Sequence, residues 1–529
     1  MPKYSIILIY IKLAICVLLA LCIWVMPAPE SVPTTGWRVF AVFVATIVSF
    51  LIRPLPMAPM VLLGLLVLAM SGTLAEPPGG EDASVTGNKI ASPMPGTSAT
   101  LENDSLERPA SMAPVQQNIT KLKGTKSKVA RSFKACLRGY GNSTVWLVVS
   151  AFLISGAVIR TGLGKRIALT MIYGLGRTTL GLGYAIAGAE LILGPFIPSN
   201  TARGGGVMAP IVNAVANSLG STSRATPRLA GEYLILCGAH LNLITAAMFM
   251  TGMAANSLVA EAALEVFQIE FNWTTWLIGS IVPGVLSLLL LPLFLYVIAS
   301  PVLKNAQPAR KKASDELKKM GVWTRAEIIM AGVFLMLITL WSTSSWHGFP
   351  SGLIAMLGVL VLLLCRVQTW QEMAAESAAW DTLVWLGGLL TMSKALLDHG
   401  FISWFAASVQ AYSVDFSPIV AAILLAVVYF FSMYCFSMLT GHITAMVGAF
   451  FVVSLAMDVP PMLMIALLAY FSSLCGCITN YSSGPVIIYF GLEYVSAGRW
   501  FLIGLIVSLF QMIIWLGIGL PYWKMLGWW

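Results

Sequence analysis

The sequence predicts an all-α polytopic membrane protein, folded as an inverted repeat with two re-entrant hairpins and two broken helices. Three observations predict it: a composition too apolar for a water-soluble fold, a self-similarity at one fixed spacing, and polar, helix-breaking clusters inside greasy runs. Apolar residues make up 58% of the 529 and charged residues 10%, with a mean hydropathy of +0.85. Uncharged runs at residues 57–75, 233–260 and 328–365 match or exceed the roughly 20 residues that a helix needs to cross a bilayer.

Residues 1–75 are read as N-terminal transmembrane helices, with spans near 13–26, 39–52 and 57–75. Only Lys3 and Lys12 precede the first, and no small-residue cleavage site follows it, so it reads as a retained helix rather than a removed signal peptide. Residues 76–140 turn to Pro, Ser, Thr, Gly and charge. They read as a mostly disordered hydrophilic insert ending in a basic amphipathic stretch. Asn103, Asn118 and Asn142 fit the glycosylation pattern, which matters only in a eukaryotic secretory setting. The first repeat covers residues 141–303, with its hairpin at about 183–216. A basic cytoplasmic loop and linking helices fill 304–377, and the second repeat covers 378–529, with its hairpin at about 416–457.

The net charge of +9 comes from Lys and Arg gathered between spans: Arg160, Lys165 and Arg166, then Lys304, Arg310, Lys311, Lys312, Lys318, Lys319 and Arg325. Such loops stay on the cytoplasmic side. No folded basic domain exists for a nucleic acid, which is excluded as a partner. The eight cysteines fall mostly in apolar runs and read as buried free thiols. Cys475-Gly-Cys477 lacks zinc spacing. The seventeen tryptophans, Trp523, Trp528 and Trp529 among them, are expected mostly at the membrane interfaces.

The repeat is visible at a separation of 238 residues. "STVWLVVSAFLISGAVIRTGL" (143–163) lies on "DTLVWLGGLLTMSKALLDHGF" (381–401), matching Thr144 with Thr382, Ser155 with Ser393, Ala157 with Ala395 and Gly162 with Gly400. At the same spacing "LCGAHLN" (236–242) falls on "LCGCITN" (474–480). Counting spans starts the first unit outside and the second on the cytoplasmic side, as in inverted-topology carriers.

Non-helical backbone survives in a membrane only where protein or a water-filled cavity shelters it. "GPFIPSNTARGGGVM" (194–208) is such an interruption between two short apolar runs, and suits a re-entrant hairpin with Ser199, Asn200 and Thr201 at its tip. In the second unit strict register puts Ser199 on Ser437. A local shift of about three puts Thr440, Gly441 and His442 there instead, and is preferred because it restores a polar triplet. "LITAAMFMTGMAANS" (243–257) and "ITNYSSGPVIIYFG" (478–491) place Thr, Ser, Gly and Pro in mid-helix. Helix ends opened in this way present unpaired N–H groups to a carboxylate, and nearby oxygens to a cation.

These stretches resemble the divalent anion/sodium symporter family, most closely its branch of 2-oxoglutarate/malate translocators and citrate or tartrate/succinate antiporters. The resemblance spans nearly everything outside residues 76–128, and "SNTARGG" is its most specific part. It implies a dimeric, elevator-type carrier in which hairpin tips and broken helices carry the substrate past a fixed scaffold. The family's first Ser-Asn-Thr motif maps onto Ser199, Asn200 and Thr201; Thr440, Gly441 and His442 stand where the second would be. The expected substrate residues are therefore Ser199, Asn200, Thr201, Thr440, Gly441, His442, Ser483, Gly484 and Pro485. Ser199, Asn200, Thr245, Thr479 and Ser482 would hold a coupling cation if sodium is used; no other metal and no organic cofactor is expected.

The resulting expectation is a secondary carrier of di- or tricarboxylates in a bacterial inner membrane, exchanging one for another, with lipid and a second copy as partners. A sodium-coupled symporter of the same solutes is the near alternative. A membrane-embedded enzyme would need an acid/base or metal cluster, and no His/Asp/Glu constellation of that kind stands out. An anion sensor or channel would answer Ser199→Ala by altered gating. His442 reads either as a histidine satisfied by nearby carbonyls or as a donor to the distal carboxylate. His240 is read as structural, Arg203 as lying at the aqueous edge of the hairpin, and Glu190 as a costly membrane carboxylate with Arg203 or Lys394 as conceivable partners.

Overall fold

The computed structural model describes residues 3–75, 128–410 and 416–529. Asn103, Asn118 and most of the expected insert lie outside the described residues. Three apolar helices come first: α1 (Lys3–Val25), α2 (Thr34–Ile52) and α3 (Met57–Met70). Pro33 and Pro56 cap α2 and α3, at helix starts where a missing N–H breaks no hydrogen bond. The end of the expected insert is ordered: α4 (128–136) docks on α3 through Ser132. Its hydroxyl donates to Leu68 O (2.9 Å) and accepts from Leu74 N (3.1 Å).

The next helices are α5 (Ser143–Thr161), α6 (Leu163–Leu175), α7 (Thr179–Leu193), α8 (Ala209–Ser218), α9 (Gly231–Met248), α10 (Asn256–Phe267) and α11 (Trp273–Ala299). Linking helices α12 (Gln307–Met320), α13 (Arg325–Ser342), α14 (Ser344–His347), α15 (Ser351–Leu364) and α16 (Trp370–Ala374) follow. The last are α17 (Ser377–Asp398), α18 (Phe401–Gln410), α19 (Pro418–Ser432), α20 (Leu439–Ala456), α21 (Pro461–Leu474), α22 (Gly484–Phe490), α23 (Ala497–Ile514) and α24 (Leu520–Met525). Among the described residues eight helices are long and apolar enough to cross a membrane, and the protein is a multi-pass membrane protein.

The helices matched in sequence run antiparallel. Gly139, before α5, donates its N–H to Thr391 Oγ1 in the second half of α17 (3.1 Å). At the other end Arg160 lies 3.8 Å from Glu376, just before α17. The aligned glycines Gly162 and Gly400 share a left-handed φ, +77° and +75°, which favours glycine. Asn142 caps α5 with its side-chain oxygen and donates to Glu261 (3.0 Å), so it is a built-in cap rather than a free acceptor for a glycan.

After the two interruptions the helical chain restarts at Thr201 and at Leu439, a spacing of 238 residues. The preferred shift of three is therefore not what the fold adopts: Thr440, Gly441 and His442 lie in the first turn of α20. Leu439 N donates across to Ser482 O (2.9 Å), and Phe436 packs against the His442 ring at 5.1 Å. Those two contacts set the start of the helix.

Arg166 joins α6 to the α12–α13 turn. It donates to Glu327 (2.6 and 3.2 Å) and to Gly321 O (3.0 Å). The tryptophan expectation fails for Trp273, Trp276, Trp341, Trp500, Trp515 and Trp523, all fully buried. Five of these six indoles reach an acceptor inside, such as Ala247 O for Trp276 (2.8 Å) and Gly279 O for Trp523 (2.8 Å). A paired N–H removes the reason to stay at the interface. Five of the eight free cysteines are buried, whereas Cys22 and Cys435 are exposed and Cys365 is half-buried.

Candidate functional site

Pro195 and Pro198 cannot continue α7, and the chain runs open until Ser199, whose hydroxyl accepts from Ala202 N (3.1 Å). The helix resumes as a wide π-turn, Thr201–Met208, a geometry often found at functional sites. Its glycines allow close approach. A Cβ on Gly204 would meet Asn242 at 2.8 Å and Pro485 at 3.0 Å, and one on Gly205 would meet Ile488 at 2.2 Å. On the other side, a Cβ on Gly484 would lie 2.1 Å from Thr201 Oγ1. The first interruption thus packs directly on the second broken helix.

Arg203 is not at an aqueous edge; it is completely buried and pairs with Glu190 at 2.8 Å, also completely buried. Its guanidinium donates to Ile197 O (2.8 Å), Gly252 O (2.9 Å), Asn242 O (3.3 Å) and Thr245 Oγ1 (3.2 Å). Glu190 also accepts from Asn242 Nδ2 (3.0 and 3.2 Å) and from the Thr245 hydroxyl (3.2 Å). A buried ion pair persists only when its remaining groups are bonded in this way. The aqueous-edge expectation fails because acceptors from four places close around the guanidinium: Glu190 of α7, Ile197 of the interruption, Asn242 and Thr245 of α9, and Gly252 after α9. Thr245, expected at a cation, is committed to this pair.

The carbonyls at the end of α9 are also closed off. Asn256 Nδ2 donates to Ala246 O (2.8 Å) and Phe249 O (3.0 Å), Trp276 Nε1 to Ala247 O (2.8 Å) and the Ser280 hydroxyl to Met248 O (2.7 Å). The second break differs. Ser482 donates its hydroxyl proton to Gly476 O, which leaves the lone pairs of its oxygen facing away from that bond. Among the described residues, Thr479 Oγ1 and Ser483 Oγ are buried without a partner, as is Asn242 Oδ1. Buried polar atoms nearly always have partners; these three oxygens belong to two residues of one break and to Asn242, whose side chain faces Gly204.

The expected residues fall into two groups. Ser199 is half-buried, Asn200 is buried with Nδ2 3.8 Å from Met253 Sδ, and Thr201 is exposed. Of the three, Thr201 meets Gly484, beside Ser483, while Pro485 faces Gly204 three residues further on. Thr440 is half-buried and Gly441 faces Leu51, whose Cδ2 would be 3.8 Å from an added Cβ. His442 is buried, with Nε2 2.8 Å from Ser432 Oγ and 3.1 Å from Tyr429 O, and Nδ1 3.9 Å from Cys475 Sγ. Its nitrogens are engaged within the protein, as in the first of its two readings. His240 is buried among apolar neighbours, its ring 6.0 Å from that of Trp500.

Two features escaped the sequence reading. Asn242 was noted only as a repeat match, and Arg53 not at all; Arg53 Nη2 lies 3.4 Å from Ser437 O. Elsewhere a cavity of about 520 Å³ lies among α2, α10, α17, α18 and α20. Aromatic rings and the Glu265 carboxylate line it, so it has little to offer an anion.

Residues 9–529 match the family described as the sodium:sulfate symporter transmembrane region. The chain is 38% identical over 520 residues to the putative malate transporter YflS of Bacillus subtilis, covering 98% of this chain and 97% of that one. It is 33% identical to the chloroplastic dicarboxylate transporter 1 of Arabidopsis thaliana, covering 96% of this chain and 82% of that one. It is 30% identical to the inner membrane protein YbhI of Escherichia coli, covering 98% of each chain. Among solved structures, the Alcanivorax borkumensis YdaH transporter superposes with a TM-score of 0.50 at 14% identity, over 77% of this chain and 90% of that one; this likeness concerns the fold alone.

Proposed function

We propose, from the premise that this chain belongs to the sodium:sulfate symporter family, that it is a secondary transporter of dicarboxylates of the malate, 2-oxoglutarate and succinate class. It exchanges one carboxylate for another across a bacterial inner membrane. Its relatives named as malate and dicarboxylate transporters support the substrate class, and its full-length likeness to transporters sets it apart from enzymes. The observation that carries the site is the meeting of Thr201 with Gly484 and of Gly204 with Pro485, beside oxygens of Thr479 and Ser483 that have no partner among the described residues. Polar donors there would hold a carboxylate, while the Glu190–Arg203 pair cancels its own charge and leaves the cleft neutral.

In this reading α7–α8 and α19–α20 are the two re-entrant hairpins of an inverted repeat. The antiparallel α5 and α17 and the matched glycine turns support it. The hairpins, with α9–α11 and α21–α23, form the mobile part of an elevator, moving against a dimeric frame that contains α2, α3 and α17. Thr440 and Gly441 lie at the second tip, and His442 holds that tip together from behind.

A sodium-coupled symport is the second reading, favoured by the hard oxygen donors left free on Thr479, Ser483 and Asn242. Purified protein in liposomes loaded with malate, 2-oxoglutarate or succinate separates the two. Exchange predicts uptake that needs internal dicarboxylate and ignores a sodium gradient. Uptake into empty liposomes driven by sodium alone would replace exchange with symport, and no uptake of any dicarboxylate would refute both.

A further inference from the structure

Arg53 ends α2 in a left-handed conformation, φ +50°, and Pro54 follows it. Its side chain is exposed and, among the described residues, is not within ion-pair distance of a carboxylate. Its Nη2 lies 3.4 Å from Ser437 O and 3.5 Å from Ser437 Oγ. Ser437 is the residue that the repeat register pairs with Ser199, and it lies two residues before the first turn of α20. That turn contains Thr440 and begins at Leu439, whose N–H is bonded to Ser482 O, next to the unpartnered hydroxyl of Ser483. Arg203, the cation at the other tip, is sealed and neutralised by Glu190.

We infer that Arg53 is a specificity-determining residue, a cation of the frame that receives one carboxylate of a dianion at the tip of the second hairpin. The inference rests on the reading of α19–α20 as that hairpin. A guanidinium presents paired N–H donors that match a carboxylate, and the neutral donors of the cleft cannot distinguish one negative charge from two. α2 packs chiefly with α1, α3 and α17 and only lightly against α20 of the second hairpin. Arg53 therefore stays behind when the hairpin leaves, and it meets the solute only while the tip lies beside the α2–α3 turn. It acts from one face of the membrane.

The test uses full-length protein in liposomes with exchange measured from each face separately, for succinate and for monomethyl succinate. Arg53→Gln is expected to raise the KM for succinate about tenfold or more, the loss of one charge-assisted hydrogen bond. The effect appears at one face only, with the maximal rate nearly unchanged and monomethyl succinate unaffected. Arg53→Lys keeps the charge and should recover part of the loss. A merely structural role would impair both solutes and both faces alike; that outcome, or an unchanged KM, overturns the inference. Because wild-type succinate exchange is measured alongside, failure of the inference is distinguishable from failure of the proposed function.

Discussion

Replacing Arg203 by Met tests the Glu190–Arg203 pair most directly. The methionine fills much of the same space but leaves the Glu190 carboxylate with only Asn242 and Thr245 as donors, and removes the donor from Ile197 O and Gly252 O. Breaking one side of a buried pair costs about 3–5 kcal/mol. In the double variant Glu190→Gln/Arg203→Met no charge remains. The cost should fall to about 1–3 kcal/mol, that of the carbonyls left without donors. Denaturant titration in mixed micelles, following tryptophan fluorescence, gives the three stabilities. Exchange in liposomes shows whether the tip still works. Arg203→Met as stable as the wild type, or a double variant less stable than Arg203→Met, would refute the argument that the pair acts as a mutually compensating unit.

Asn200→Ala is expected to abolish dicarboxylate exchange while the protein still elutes as the wild type does on size exclusion. Ser483→Ala breaks no hydrogen bond within the protein, so its stability should change by less than about 0.5 kcal/mol. Its exchange rate at low substrate should nevertheless drop about tenfold; normal exchange would remove Ser483 from the site. Gly484→Ala puts a methyl group 2.1 Å from Thr201 Oγ1, an overpacking worth about 1–3 kcal/mol. Adding Thr201→Ala should recover much of that stability in the same titration; no recovery would place the crowding elsewhere.

The interrupted segments were legible because Pro195, Pro198 and Gly204–Gly206 contradict a membrane helix on local grounds alone. The matched turns at Gly162 and Gly400 were legible, since a left-handed turn limits the choice of residue. Glu190 stood out as a lone carboxylate in an apolar run. The burial of its partner was hidden, because the acceptors around Arg203 come from Ile197, Asn242, Thr245 and Gly252, and no local pattern shows a chain folding back over a side chain. The buried tryptophans were hidden for the same reason: five of the six indoles are met inside by a carbonyl or hydroxyl from another part of the chain. The start of α20 was hidden as well, because it goes with tertiary contacts of Leu439 and Phe436 rather than with a match of polar residues.

At the spacing of 238 the positions of Glu190 and Arg203 are occupied by Val428 and Gly441. In the proposed inverted repeat the two hairpins therefore carry unlike fasteners: one lip is riveted by opposite charges, the other is held by the His442 ring between Ser432 and Tyr429. A machine with symmetric gears and asymmetric latches has no reason to release its cargo equally fast in both directions. Any preference for inward or outward flux can be written into the latches while the seat of the solute stays the same.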